Sequence, residues 1–119
     1  MEVKVSMSYV DDEKFEVINS SGNKLLIDMY AQEKKEHLSP MELLLSAVTT
    51  CAAVEIVSMI KKRRRDFKDI KAEASGVRAE TTPNYYKSIA IKYIIYSSDL
   101  TDKEADRFIS LALEKYCSV

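Results

Sequence analysis

With 119 residues, the chain is long enough for one hydrophobic core and too short for two ordinary domains. Its residues are 46% apolar and 31% charged, which excludes a disordered chain, and a net charge of −1 excludes a global field that would draw it to nucleic acid. Two cysteines are too few for a secreted disulfide scaffold, and the polar, acidic stretch 1–12 carries no secretory signal, so a cytoplasmic location is expected.

Val3, Val5, Met7 and Tyr9 alternate with polar residues, the pattern of a half-buried strand. A turn at Asp11 to Lys14 leads to a second strand, Phe15 to Ile18. Asn19-Ser20-Ser21-Gly22-Asn23 is a strong turn signal, and Leu25 to Met29 is a third strand. The N-terminal third, residues 1–30, is therefore expected to be an antiparallel meander. Gln32 to His37 is a charged connector, in which His37 reads as a surface residue.

Residues 39–65 form the element around which the rest is expected to organise. Ser39 suits an N-cap, Pro40 the first helical position, and Glu42 sits three residues past the cap. Apolar residues fill nearly every position from Leu43 to Ile60, and five cations, Lys61 to Arg65, follow at the end that favours positive charge. A helix that is apolar almost all round is either buried or in a membrane. Against a membrane span stand Glu55 well inside the stretch, the polar Ser46, Thr49, Thr50 and Ser58, and flanks that read as strands. No membrane association is expected.

Beyond Asp66 the alternation resumes with Ile70, Ala72, Ala74 and Val77. Thr81-Thr82-Pro83-Asn84 is a turn, and Ser88 to Tyr96, rich in Ile and Tyr, is a strand. Thr101 with Glu104 forms a capping box, and Ala105, Phe108, Ile109, Ala112 and Tyr116 fall on one face of a helix running to about Lys115. The expected fold class is α+β with antiparallel pairing, a single domain over 1–119 with strands and a C-terminal helix in 67–119. One small meander covers one side of an all-apolar helix, and a second copy of the chain would cover the rest, so an obligate homodimer is expected.

Most site chemistries are poorly supplied. With one histidine, no Ser-His-Asp arrangement or His-rich metal site is favoured; without CxxC spacing, zinc is not expected, and no phosphate-cradling glycine loop exists. No metal and no cofactor are expected. The basic run Lys61 to Arg65 reads as a solvated helix end, without nucleic acid as a partner. The thiols remain. Cys51, mid-helix among Val48, Ala52 and Val54, is a small buried hydrophobe or a nucleophile that opens an O–O bond and is resolved by Cys117. A nucleophilic thiolate needs a nearby cation, and none stands beside Cys51 in sequence; Glu55, one turn on, would oppose ionisation if charged, or pair with a cation from elsewhere.

The string Pro40-Met41-Glu42-Leu43-Leu44-Leu45, then Cys51, then Glu55 to Lys62, and the closing Glu114 to Val119 resemble the OsmC/Ohr superfamily of osmotically inducible and organic-hydroperoxide-resistance proteins, most nearly its YhfA-like branch. The resemblance implies an OsmC-like fold: an intertwined homodimer whose antiparallel sheets wrap long central helices, with each site at the subunit interface. It implies thiol-dependent reduction of organic hydroperoxides, with Cys51 peroxidatic, Cys117 resolving and a dithiol as reductant. Relatives are expected to continue past the position of Cys117 into a last strand. The family's activating glutamate follows the proline directly, where this chain has Met41, and Glu42 comes one step later. Its activating arginine comes from the N-terminal half, and here no arginine precedes Arg63. Lys34, Lys35 or Arg78 are the candidate replacements. The alternative is a non-catalytic homodimer of the same fold that binds a small apolar or thiol-reactive ligand in the interface cleft.

Overall fold

In a computed structural model, which describes residues 1–116, the chain runs β1 (Val5–Asp11), β2 (Lys14–Asn19), β3 (Lys24–Asp28), a 3-10 turn (Gln32–Lys34), α1 (Pro40–Lys62), β4 (Asp69–Arg78), β5 (Tyr86–Tyr96), α2 (Asp102–Leu111) and a π-helical turn (Ala112–Tyr116). The order of three strands, a long helix, two strands and a helix is the expected one, and every strand pairing is antiparallel. Two compact units emerge, Met1–Leu44 and Leu45–Val119, with α1 beginning in the first and lying mostly in the second.

The first unit is a meander in the order β1-β2-β3. Asp12, with φ 45°, turns the chain between β1 and β2, a conformation that aspartate tolerates better than most residues. Between β2 and β3 the side-chain oxygen of Asn19 accepts from the backbone N–H of Ser21 (3.1 Å) and Asn23 (2.9 Å), and Gly22 takes φ 86° at no steric cost. The register sets Met7 opposite Val17 and Tyr9 opposite Phe15, with the two aromatic rings edge to face at 5.5 Å. The alternation of β1 predicts a half-buried strand, but Val5, Met7 and Tyr9 are all more than 60% exposed. Periodicity reports which face is apolar, and burial additionally needs a layer packed over that face.

In the second unit, Ala52, Ile56 and Ile60 form one stripe of α1 with no solvent-accessible surface. They pack with Phe108 and Ala112, and around them lie Phe67, Ile70, Tyr93, Ile95, Leu100 and Ile109 from the β4–β5 ribbon, its flanks and α2. By length and composition α1 also meets the dimensions of a membrane span, and its stripe of Ala52, Ile56 and Ile60 packs within the second unit. Gly76 of β4 lies beneath the Tyr86 ring, where a Cβ would come within 2.5 Å of a ring carbon.

α1 closes with Arg65 N–H donating to the Ile60 carbonyl (3.1 Å) and Arg64 N–H to that of Lys61 (3.0 Å), while Arg64 has φ 58°. This is the Schellman pairing, with arginine where glycine is usual. Arg64→Gly should therefore stabilise the protein by about 0.5–1 kcal/mol, readable as a raised urea midpoint at unchanged slope.

Candidate functional site around Cys51

α1 carries Cys51 to its position, and the start of α1 is fixed by Ser39 and Glu42. Ser39 N–H donates to Glu42 Oε1 (2.8 Å) and Glu42 N–H donates to Ser39 Oγ (3.2 Å), the reciprocal capping box expected from the sequence. The hydrogen bonds from Ser39, its backbone N–H first, hold the Glu42 carboxyl below its ordinary value. Glu42 thus serves the helix start.

Cys51 is a free, half-buried cysteine. At 100° per residue it lies beside the fully buried Ala52 and borders the outward side, where Val54 is 61% exposed. The thiol is therefore neither sealed in the core nor standing free in water. Glu55 follows one turn later on the same flank and is also half-buried. Among the described residues no hydrogen bond or ion pair reaches either side chain.

A hydrogen bond unsuspected from sequence fixes this part of α1. The Tyr93 hydroxyl, on β5, donates to the carbonyl oxygen of Thr49 at 2.7 Å, two residues before Cys51. The Thr49 hydroxyl in turn donates to the Leu45 carbonyl (2.8 Å). A tyrosine in an alternating strand signals a packing residue, and nothing in sequence told that its hydroxyl would meet a helix carbonyl.

Two of the three candidate activating cations, Arg78 and Lys35, are held by other groups. Arg78 donates through Nε to the Asn84 carbonyl (2.8 Å) and through Nη2 to Asn84 Oδ1 (2.7 Å), bracing the β4–β5 connection. Lys35 Nζ lies 2.8 Å from Asp28 Oδ1 and donates to the Asp28 carbonyl. Arg65 holds Glu104 Oε2 through Nε and Nη2 (3.2 and 3.1 Å), tying the end of α1 to the start of α2 and, with the Thr101 cap, holding the Glu104 carboxyl below its ordinary value. Lys34 is exposed in the first unit. Cys117, the expected resolving cysteine, lies outside the described residues.

The site that sequence reasoning missed is Asp28, which is fully inaccessible. Burial pushes its carboxyl up, but Lys35 and the backbone N–H groups of Glu36, His37 and Tyr30 outweigh burial and hold it at about 2. These bonds fasten the connector to the end of β3; His37 is part of that turn through its backbone. Among the described residues no group of three His, Cys, Asp or Glu side chains is arranged for a metal ion. A hollow of about 380 Å³ between β5 and α2, lined by Tyr93, Ile95, Asp102, Ala105, Asp106 and Ile109, does not include Cys51.

Residues 32–119 match the family of OsmC-like proteins. Protein YhfA of Escherichia coli K12 is 35% identical over 101 residues, which are 85% of this chain and 74% of that protein. The crystal structure of a hypothetical protein from Aquifex aeolicus VF5 superposes with a TM-score of 0.85 at 30% identity, over 99% of this chain and 83% of that one. The organic hydroperoxide resistance protein OhrB of Bacillus subtilis shares the fold, with a TM-score of 0.62 at 15% identity over 99% of this chain and 87% of that one.

Proposed function

Because the chain belongs to the OsmC-like protein family, we propose that it is a thiol-dependent peroxidase that reduces organic hydroperoxides, with Cys51 peroxidatic and Cys117 resolving. The observation that carries this reading is the placement of Cys51: a thiol held mid-helix by a strand-to-helix hydrogen bond, half-buried at the edge of an apolar surface. An apolar border suits a hydroperoxide with a hydrocarbon body, and a half-buried sulfur is still reachable. The name of the fold relative OhrB points to the same substrate class.

In this mechanism the Cys51 thiolate attacks the distal peroxide oxygen. An S–O bond forms, the O–O bond breaks, and the leaving alkoxide takes a proton to become the alcohol. Cys51 is then a sulfenic acid, oxidised by two electrons. The Cys117 thiol displaces its hydroxyl as water and forms the Cys51–Cys117 disulfide, which a dithiol reduces. The working unit is a homodimer in the cytoplasm, in which a second copy covers the exposed side of α1 around Val54.

A second reading, a non-catalytic homodimer of the same fold binding a small apolar or thiol-reactive ligand, is favoured by specific contacts. Glu42 caps the helix, Arg78 is engaged with Asn84, and Lys35 with Asp28, while the resemblance implies a glutamate at the position of Met41. Counting thiols separates the two. Titration of the reduced protein with cumene hydroperoxide should consume both thiols for each peroxide and release one equivalent of cumyl alcohol. Unchanged thiols beside unchanged hydroperoxide would select the second reading.

A further inference from the structure

We propose that Glu55 is a catalytic residue of the Cys51 site: it accepts the Cys51 thiol proton and returns it to the departing alkoxide. The inference rests on the peroxidase reading and adds to it the source of the proton. Between Glu42 and Lys61, α1 carries one charged residue, and it stands one helical turn from the cysteine. Residues four apart on a helix are neighbours, with Cβ atoms about 5–6 Å apart. Both side chains are half-buried on one flank, where among the described residues neither has a partner.

Several of the titratable groups on and around α1 are engaged in other contacts. The Tyr93 hydroxyl is given to the Thr49 carbonyl, Glu104 is paired with Arg65, and Lys61 sits over the Phe67 ring. A carboxylate left without a structural partner in an apolar stretch is costly to keep. Beside a thiol that must lose a proton, and a leaving group that must gain one, it has a chemical use. The step balances: the Sγ–H proton passes to Glu55, sulfur gives two electrons to the distal oxygen, the O–O bond breaks, and the same proton passes to the alkoxide. The products are the sulfenic acid and the alcohol, with Glu55 again a carboxylate.

The role predicts a split between two reactions of the same sulfur. Alkylation of Cys51 by iodoacetamide needs thiolate and no proton for a leaving alkoxide; peroxide reduction needs both. In the Cys117→Ser background, Glu55→Gln removes a negative charge beside the sulfur, so alkylation at pH 7 should quicken about two- to tenfold. Reduction of cumene hydroperoxide should slow about 100-fold, and Glu55→Asp should recover part of it. Equal change in both rates, in either direction, or no change in either, overturns the role of Glu55 while leaving the peroxidase intact. Failure of the protein with Glu55 in place to reduce cumene hydroperoxide overturns the peroxidase reading and this role with it.

Discussion

Cys51→Ser is expected to lower the turnover of cumene hydroperoxide in the presence of a dithiol by at least about 10³-fold, with the fold retained. Serine matches the shape of cysteine, and its hydroxyl is far less nucleophilic at neutral pH. The half-buried position makes few demands on the side chain, so stability should change by less than about 1 kcal/mol. Steady-state loss of hydroperoxide and a urea titration of the same preparation give the two numbers. Retention of the full rate ends the peroxidase reading. Loss of stability alone, without peroxide turnover in either protein, identifies the thiol as a packing residue.

Lys35→Met is expected to lower the melting temperature by about 10 °C or more. The substitution keeps the stem of the lysine and removes the charge opposite Asp28, which has no accessible surface to turn towards water. The backbone donors of Tyr30, Glu36 and His37 remain, but an uncompensated buried carboxylate is among the costliest single defects. Adding Asp28→Asn to Lys35→Met should recover part of the loss, because it removes the stranded charge and keeps a side-chain oxygen to accept from the backbone donors. Circular-dichroism melts of the three proteins test the pair.

The same carboxylate gives the protein an acid dependence of known sign. Its folded-state value of about 2 lies below the ordinary 3.8, so in the window between them the unfolded chain binds more protons than the folded one. The contribution is complete above pH 3.8 and disappears as pH falls towards 2. Urea midpoints should therefore fall over that window, and Asp28→Asn should show a shallower fall.

Much of the fold was legible because its signals are local. The Asn19–Gly22 turn, the Ser39–Glu42 and Thr101–Glu104 boxes and the alternation of β5 each depend on residues within a few positions, and each stands where the sequence put it. The central helix was equally plain, and with it the position of its one thiol. The end of the C-terminal helix was less so. A regular helix to about Lys115 was expected, and the chain instead widens into a π-helical turn after Leu111, an end effect to which periodicity is blind.

The sequence by itself determined the element order, the long apolar helix with its caps, the thiol at its middle and the family to which these belong. Only the tertiary structure decided which polar groups meet: Lys35 with the buried Asp28, Arg65 with Glu104 across 39 positions, and the Tyr93 hydroxyl with the Thr49 carbonyl across 44. Helix and strand preferences arise from each residue's own backbone and its near neighbours. A charge or a hydroxyl takes whatever partner folding brings within about 3 Å, and chain separation says nothing of that.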